Sequence, residues 1–315
     1  MFDKKAMLRG LLVVIGVFLV SCSDTEKSEA PSEYEITVSE DQEIVKYNRY
    51  VKVANDGSDF GAHLAEHVRY FQARLRNGQE LAHYSVESPS RIKRVREALD
   101  KALAIPVPLL ELDKAAEDLS LALRQIEPLT RELDNYAQSN GFLADEGKKA
   151  REIDPRYVIG MQRVAAAEAE FFSGIQKRDD IYTLAAFERA PRDSVEYFRM
   201  GIVLYSKRSA RLADDLFQSE GEEHAARTFD DSLNEVAEMA ERWEKQIRKA
   251  RPDGCTGMMR SVNSVLARGR TAIRNARKGR YKRQRSSAID QSEMDAKAFS
   301  EAYNEMIKGI NRNQC

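Results

Sequence analysis

The chain has 315 residues, with 50 Lys and Arg against 51 Asp and Glu and a net charge of −1. Only 24 residues are Gly or Pro, against roughly 12% in average proteins. With 42% apolar residues, this excludes collagen-like, low-complexity and wholly disordered classes, and it speaks against turn-rich β-sandwiches and barrels.

Residues 1–21 read as a lipoprotein signal peptide. Lys4, Lys5 and Arg9 form a positive start, and Leu11 to Val20 form a ten-residue apolar run broken only by Gly16. Crossing ~30 Å of hydrocarbon takes about 20 residues, so this run suits the apolar centre of a secretory signal instead. Leu19-Val20-Ser21-Cys22 resembles the bacterial lipobox, which implies cleavage before Cys22 and lipidation of its thiol. Several acyl chains anchor stably where one is marginal. The expected place is therefore the bacterial cell envelope. Ser23, not Asp, follows the cysteine, and similarity to enterobacterial lipoproteins then implies the outer membrane, facing the periplasm. Residues 22–38 are the lipidated cysteine and a polar, mostly acidic tether with no apolar period.

Residues 39–315 read as one helical-bundle domain, all-α and built of long antiparallel amphipathic helices. Ser39 and Gln42 form a capping box that starts the first helix. In 109–136, Leu112, Leu119, Ile126 and Leu133 recur every seven residues beside Leu109, Ala116 and Leu123. Pro128 inside this run predicts a kink, because proline removes one backbone donor. Phe198, Ile202, Tyr205, Leu212 and Leu216 mark the next apolar face. Phe229, Leu233, Val236, Ala240, Trp243 and Ile247 follow at 4-3-4-3-4 spacing. Met259, Val262, Leu266, Ile273 and Ala276 come next, then Phe299, Tyr303, Met306 and Ile310. Gly57, Gly78, Pro89, Pro106 with Pro108, Gly141, Asp154-Pro155, Pro191 and Pro252-Asp253-Gly254 separate the runs. Short breaks of this kind favour hairpins within one chain over a coiled coil between chains. Cys255 and Cys315 are left as an even pair in an oxidising compartment, and a bridge between them would be worth ~4 kcal/mol in the chain-entropy model.

Charge is segregated along the chain. Residues 214–241 hold ten acids and one Arg, whereas 242–285 hold fifteen Lys and Arg and two acids. The break at Pro252–Gly254 would fold one segment on the other, and opposite charge would steer their antiparallel pairing.

The first run contains Lys46-Tyr47-Asn48-Arg49-Tyr50-Val51 and Asn55, and the last contains Ala302-Tyr303-Asn304-Glu305-Met306-Ile307 and Asn311. Leu133-Asp134-Asn135-Tyr136, Phe142 and Asp145 stand between them. Over about 43–311 the chain resembles the YiiG-like bacterial lipoproteins. That resemblance implies a periplasmic helical domain and carries over no catalytic residue. Asn48 and Asn55 share a helix face, and paired terminal helices would exchange amide hydrogen bonds that set register.

His63-Leu64-Ala65-Glu66-His67 fits the H-x-x-E-H pattern of inverted zinc peptidases. His63 and His67 would ligate Zn²⁺ from one helix face, Glu66 would act as general base, and Glu146 is a candidate third ligand. That family sets its motif in an α/β domain, and no strand is expected here. The stripe Phe60, Leu64, Val68, Phe71, Leu75 leaves His67 at its edge and Glu66 almost opposite. The main expectation is therefore a non-catalytic binding or scaffolding protein with no cofactor. It would be held to the membrane by its N-terminal lipid and would meet an envelope protein or an anionic polymer. The second reading is a zinc hydrolase. The third is an anionic-polymer binder using 268–285, where Tyr281 is the only aromatic; export argues against nucleic acid.

Overall fold

A computed structural model describes residues 38–56, 59–282 and 290–312. The signal peptide, Cys22, nearly all of the tether and Cys315 lie outside the described residues. Every regular element among those described is helical. None of the helices is long and apolar enough to cross a membrane. Within the expected 39–315 region there are two compact units, one reaching Arg178 and the other starting at Asp179.

The first unit contains α1 (Val38–Asn55), α2 (Phe60–His67), a π-helical turn (Val68–Gln72) and α3 (Ala73–Arg76). It continues with α4 (Pro89–Leu103), α5 (Leu110–Gln138), the short α6 (Gly141–Ala144) and α7 (Lys148–Arg189) as far as Arg178. α4 starts with Pro89 in its first turn, where the missing N–H costs nothing. α4 and α5 form an antiparallel hairpin: Arg96 reaches Glu127, and Ser120 donates to Asp100 at 2.5 Å. Both heptad rows of α5 are buried, from Leu109 and Leu112 to Leu133.

Pro128 lies inside α5, which is helical on both sides of it. Two local expectations differ from the structure. α1 begins at Val38, one residue before the Ser39 expected to cap it. Asp154-Pro155 is not a break, because α7 runs straight through it. A proline inside a helix costs ~3 kcal/mol. Burial of Tyr157, Val158, Met161 and Val164 on the same helix outweighs that, at ~1.5–3 kcal/mol for each large side chain.

The turn into α7 is held by Asp145. Its carboxylate accepts from the Tyr136 hydroxyl at 2.6 Å and from the backbone N–H of Gly147 and Lys149, each at 3.0 Å. These hydrogen bonds, that from Tyr136 foremost, hold its pKa below the usual carboxylate value.

The second unit is an up-down-up-down four-helix arrangement of α8 (Val195–Gln218), α9 (Glu223–Ala250), α10 (Thr256–Arg277) and α11 (Gln291–Asn311). Consecutive helices pack on one another, and α11 returns to α8. The last turns of α7 add Asp179 and Thr183. Lys207 Nζ of α8 donates to Asp179 Oδ2 and Thr183 Oγ1, both at 2.6 Å, and all three side chains are buried. The core is the set of apolar faces expected from the spacing, with Met258 taking the inner place beside a half-buried Met259. Cys255 is buried and its sulfur is in a disulfide. α1 and α11 belong to different units, and each packs on helices of its own unit, α1 on α4 and α11 on α10 and α8.

Gly221 makes the α8–α9 turn. Its φ is +85°, and a Cβ there would lie 2.9 Å from the Cβ and 3.1 Å from the Cα of Ala276. Gly221→Ala should therefore lose about 1–3 kcal/mol, read as a lower urea midpoint with unchanged slope. Asp145→Asn should cost about 1 kcal/mol at pH 7. A carboxyl whose folded pKa is depressed contributes stability above its unfolded value, near 4, and loses it as pH falls through the folded one. The difference between wild type and Asp145→Asn, followed by urea unfolding from pH 7 to pH 3, should shrink below about pH 4.

Candidate functional site

The H-x-x-E-H segment lies on α2, and the structure separates its members. His67 is buried, while His63 and Glu66 are exposed. The helical wheel put His67 at the edge of the apolar stripe. In the fold, the irregular segment 79–88 and α7 cover that edge. His67 Nδ1 faces the Ser85 carbonyl at 3.0 Å and Nε2 faces Asp154 Oδ1 at 2.7 Å. Both ring nitrogens are therefore taken up by protein groups.

Asp154 is itself buried, and Oδ1 also accepts from the Tyr84 hydroxyl at 2.9 Å. Burial, with the negative charge of Asp154 behind it, pushes the Tyr84 pKa far up. The rings of Phe71, Tyr84 and Tyr157 surround the imidazole at centroid distances of 5.1, 5.9 and 5.0 Å. The Tyr157 hydroxyl accepts from the Glu87 N–H at 2.9 Å. This is a buried, hydrogen-bonded cluster that ties α2, segment 79–88 and α7 together.

His63 lies outside it, with Nε2 3.4 Å from Asp59 and Nδ1 3.5 Å from Glu87. Arg91 pairs with both of those acids. Glu66 faces away, and Glu146 is an exposed turn residue whose carbonyl accepts from Arg151 at 2.7 Å. Among the described residues, no three His, Cys, Asp or Glu side chains are grouped to hold a metal ion.

The residues of the family-like signatures also have framework contacts. Lys46 Nζ donates to the Val107 carbonyl at 2.7 Å and to Asp113 at 2.8 Å. The Tyr50 hydroxyl donates to Asp113 at 2.7 Å. Tyr136 binds Asp145, as described, and Tyr303 is buried in the second core. Asn304 Oδ1 is buried and has no hydrogen-bond partner among the described residues.

The basic run behaves differently. α9 and α10 form the expected antiparallel hairpin, but few of its charges pair across it. Arg277 lies 3.6 Å from Glu223 and 3.5 Å from Asp230. Other acids of α9 pair elsewhere: Glu235 with Arg208 of α8, and Glu238 and Glu244 with Arg242 and Arg248 of their own helix. Arg270, Arg274, Arg277 and Lys278 are exposed on one face of α10, around an open cleft of about 360 Å³ that Asp230 and Ile273 complete. Tyr281 is not a stacking surface. It is buried, and its hydroxyl lies 2.8 Å from Asp295 and 3.0 Å from the Ala272 carbonyl, which pins the end of α10 to α11. Arg283 and Arg285 lie outside the described residues.

Sequence reasoning missed Asp154, which stood as half of a supposed helix break. It meets His67 across 87 positions of sequence, and no local pattern announces such a pair. The described residues define an all-α protein whose helices are cross-linked by buried polar contacts. Residues 41–312 match a family described as a protein of unknown function, DUF3829, and the chain belongs to that family. No curated protein and no solved structure matches it.

His67→Ala should cost about 3–5 kcal/mol, because it leaves buried Asp154 with the Tyr84 hydroxyl but without the imidazole and opens a cavity among the aromatic rings. The double variant His67→Ala/Asp154→Asn should lose less than the sum of the two single changes in a urea-unfolding cycle.

Proposed function

We propose that the chain is a lipid-anchored protein of the bacterial cell envelope, of the YiiG-like kind, whose helical domain binds a partner and does not catalyse a reaction. The observation that carries this reading is Leu19-Val20-Ser21-Cys22 at the end of a ten-residue apolar run. The polar stretch 23–37 then separates lipid from domain by at most about 50 Å when extended. Ser23 after the lipidated Cys22 favours the outer membrane, with the domain in the periplasm. In that oxidising space the partner of Cys255 is Cys315, because Cys22 carries the lipid.

The binding reading draws support from the way the one catalytic-looking motif is used. Both nitrogens of His67 are occupied by protein groups, and a metal would have to displace the Ser85 carbonyl or Asp154. The cationic face of α10 is open to solvent. The partner is therefore an envelope protein or an anionic molecule, and export sets nucleic acid aside.

Labelling cells with radioactive palmitate tests the anchor. The wild-type chain should take up label and sediment with membranes, and Cys22→Ser should do neither; label on Cys22→Ser overturns the reading. Elemental mass spectrometry of the zinc-loaded protein, beside His63→Ala/His67→Ala, tests the catalytic alternative. The expected result is equal, substoichiometric zinc in both. About one zinc per chain, lost in the double variant, would replace binding by hydrolysis.

A further inference from the structure

The cationic face of α10 is not explained by folding. Arg270, Arg274 and Lys278 follow one another at four-residue spacing, so they lie side by side and repel. Arg277 sits within the same row. Such repulsion is ordinarily relieved by acids on the facing helix. Here α9 brings Asp230 into the cleft lining and Glu223 beside it, and both meet Arg277. Arg270, Arg274 and Lys278 have no acidic partner among the described residues. Four cations at the cleft thus meet two acids, both at Arg277, an excess of about two charges beside the buried side chain of Ile273.

We propose that this cleft is a binding site for a phosphate-bearing anion with two or more negative charges. Arg270, Arg274 and Lys278 would contact the ligand, and Arg277 would be held toward it by Asp230. The volume lies within the ~300–1,000 Å³ of small-ligand sites. Guanidinium groups present paired N–H donors in a plane that matches two oxygens of one phosphate, and the ammonium of Lys278 adds a point charge. Arg270 and Arg274 are one helical turn apart, about 6 Å, so they reach two oxygens of a single phosphate or two neighbouring phosphates. A singly charged carboxylate would leave about half of the excess unmet. Because the site is open to solvent, its affinity depends on ionic strength. The inference rests on the reading of this chain as a binding protein and is independent of its lipid anchor.

The test uses the full chain in dodecyl maltoside at about 50 mM salt, where screening is modest. Two probes are titrated calorimetrically: inorganic tripolyphosphate, and micelles doped with phosphatidic acid. Arg270→Gln/Arg274→Gln should weaken binding at least tenfold. The charge-matched pair Arg74→Gln/Lys101→Gln, exposed cations of the first unit, should leave it within twofold. All four positions are on the surface, and unchanged thermal melting shows that the variants fold. Binding of tripolyphosphate alone assigns a free phosphate, binding of doped micelles alone assigns a lipid headgroup, and binding of both supports the shared chemistry. Binding of neither probe overturns the proposal. So does an equal loss in the two double variants, which would mean that total charge, not this cleft, attracts the anion. The palmitate result does not bear on either outcome, so the two readings fail separately.

Discussion

A carboxylate taken out of water has to be met by donors, and that constraint places the helices within both units. Asp113 gathers Lys46, Tyr50 and the N–H of Leu109, and so ties α1 to the start of α5. Glu168 of α7 accepts from the N–H groups of Phe60 and Gly61 at 3.0 Å and closes the start of α2, although burial raises its pKa. Asp154 holds the other end of α2 through His67. In the second unit Asp295 of α11 takes Asn275, Tyr281 and Gln291. Apolar faces alone tolerate sliding by a turn, because one leucine resembles another. An acid with two or three directed donors does not, so hydrophobic burial drives the packing and the carboxylates choose its register.

This division explains what could be read from the residues. The apolar faces of α5, α8, α9, α10 and α11 follow from spacing within each helix, a local property, and nearly all of them are buried as expected. The carboxylate contacts join positions tens of residues apart, and an acid destined for burial looks the same in a sequence as an acid left in water. Pro155 misled for a related reason. Its local cost is fixed, but the burial that outweighs it is supplied by other segments. His67 was half legible. Its place near an apolar stripe was visible, but the cover from Tyr84 and Tyr157 was not.

Charge segregation carried two kinds of information that the sequence did not separate. The reversal of sign near Pro252 anticipated the hairpin of α9 and α10. It did not anticipate that α9 pairs several of its acids with α8 and with itself, leaving α10 largely uncompensated. A near-zero total charge can thus conceal a strongly cationic face.

The buried pair of Lys207 and Asp179 has a consequence for descent. Losing either partner strands an ion in an apolar interior, whereas losing both together can be neutral. Change at one position therefore passes through a disfavoured intermediate before the other follows. Lineages that diverge from this chain should hold the two positions as a unit, both ionic or both apolar. Their joint history would record the contact without any coordinates.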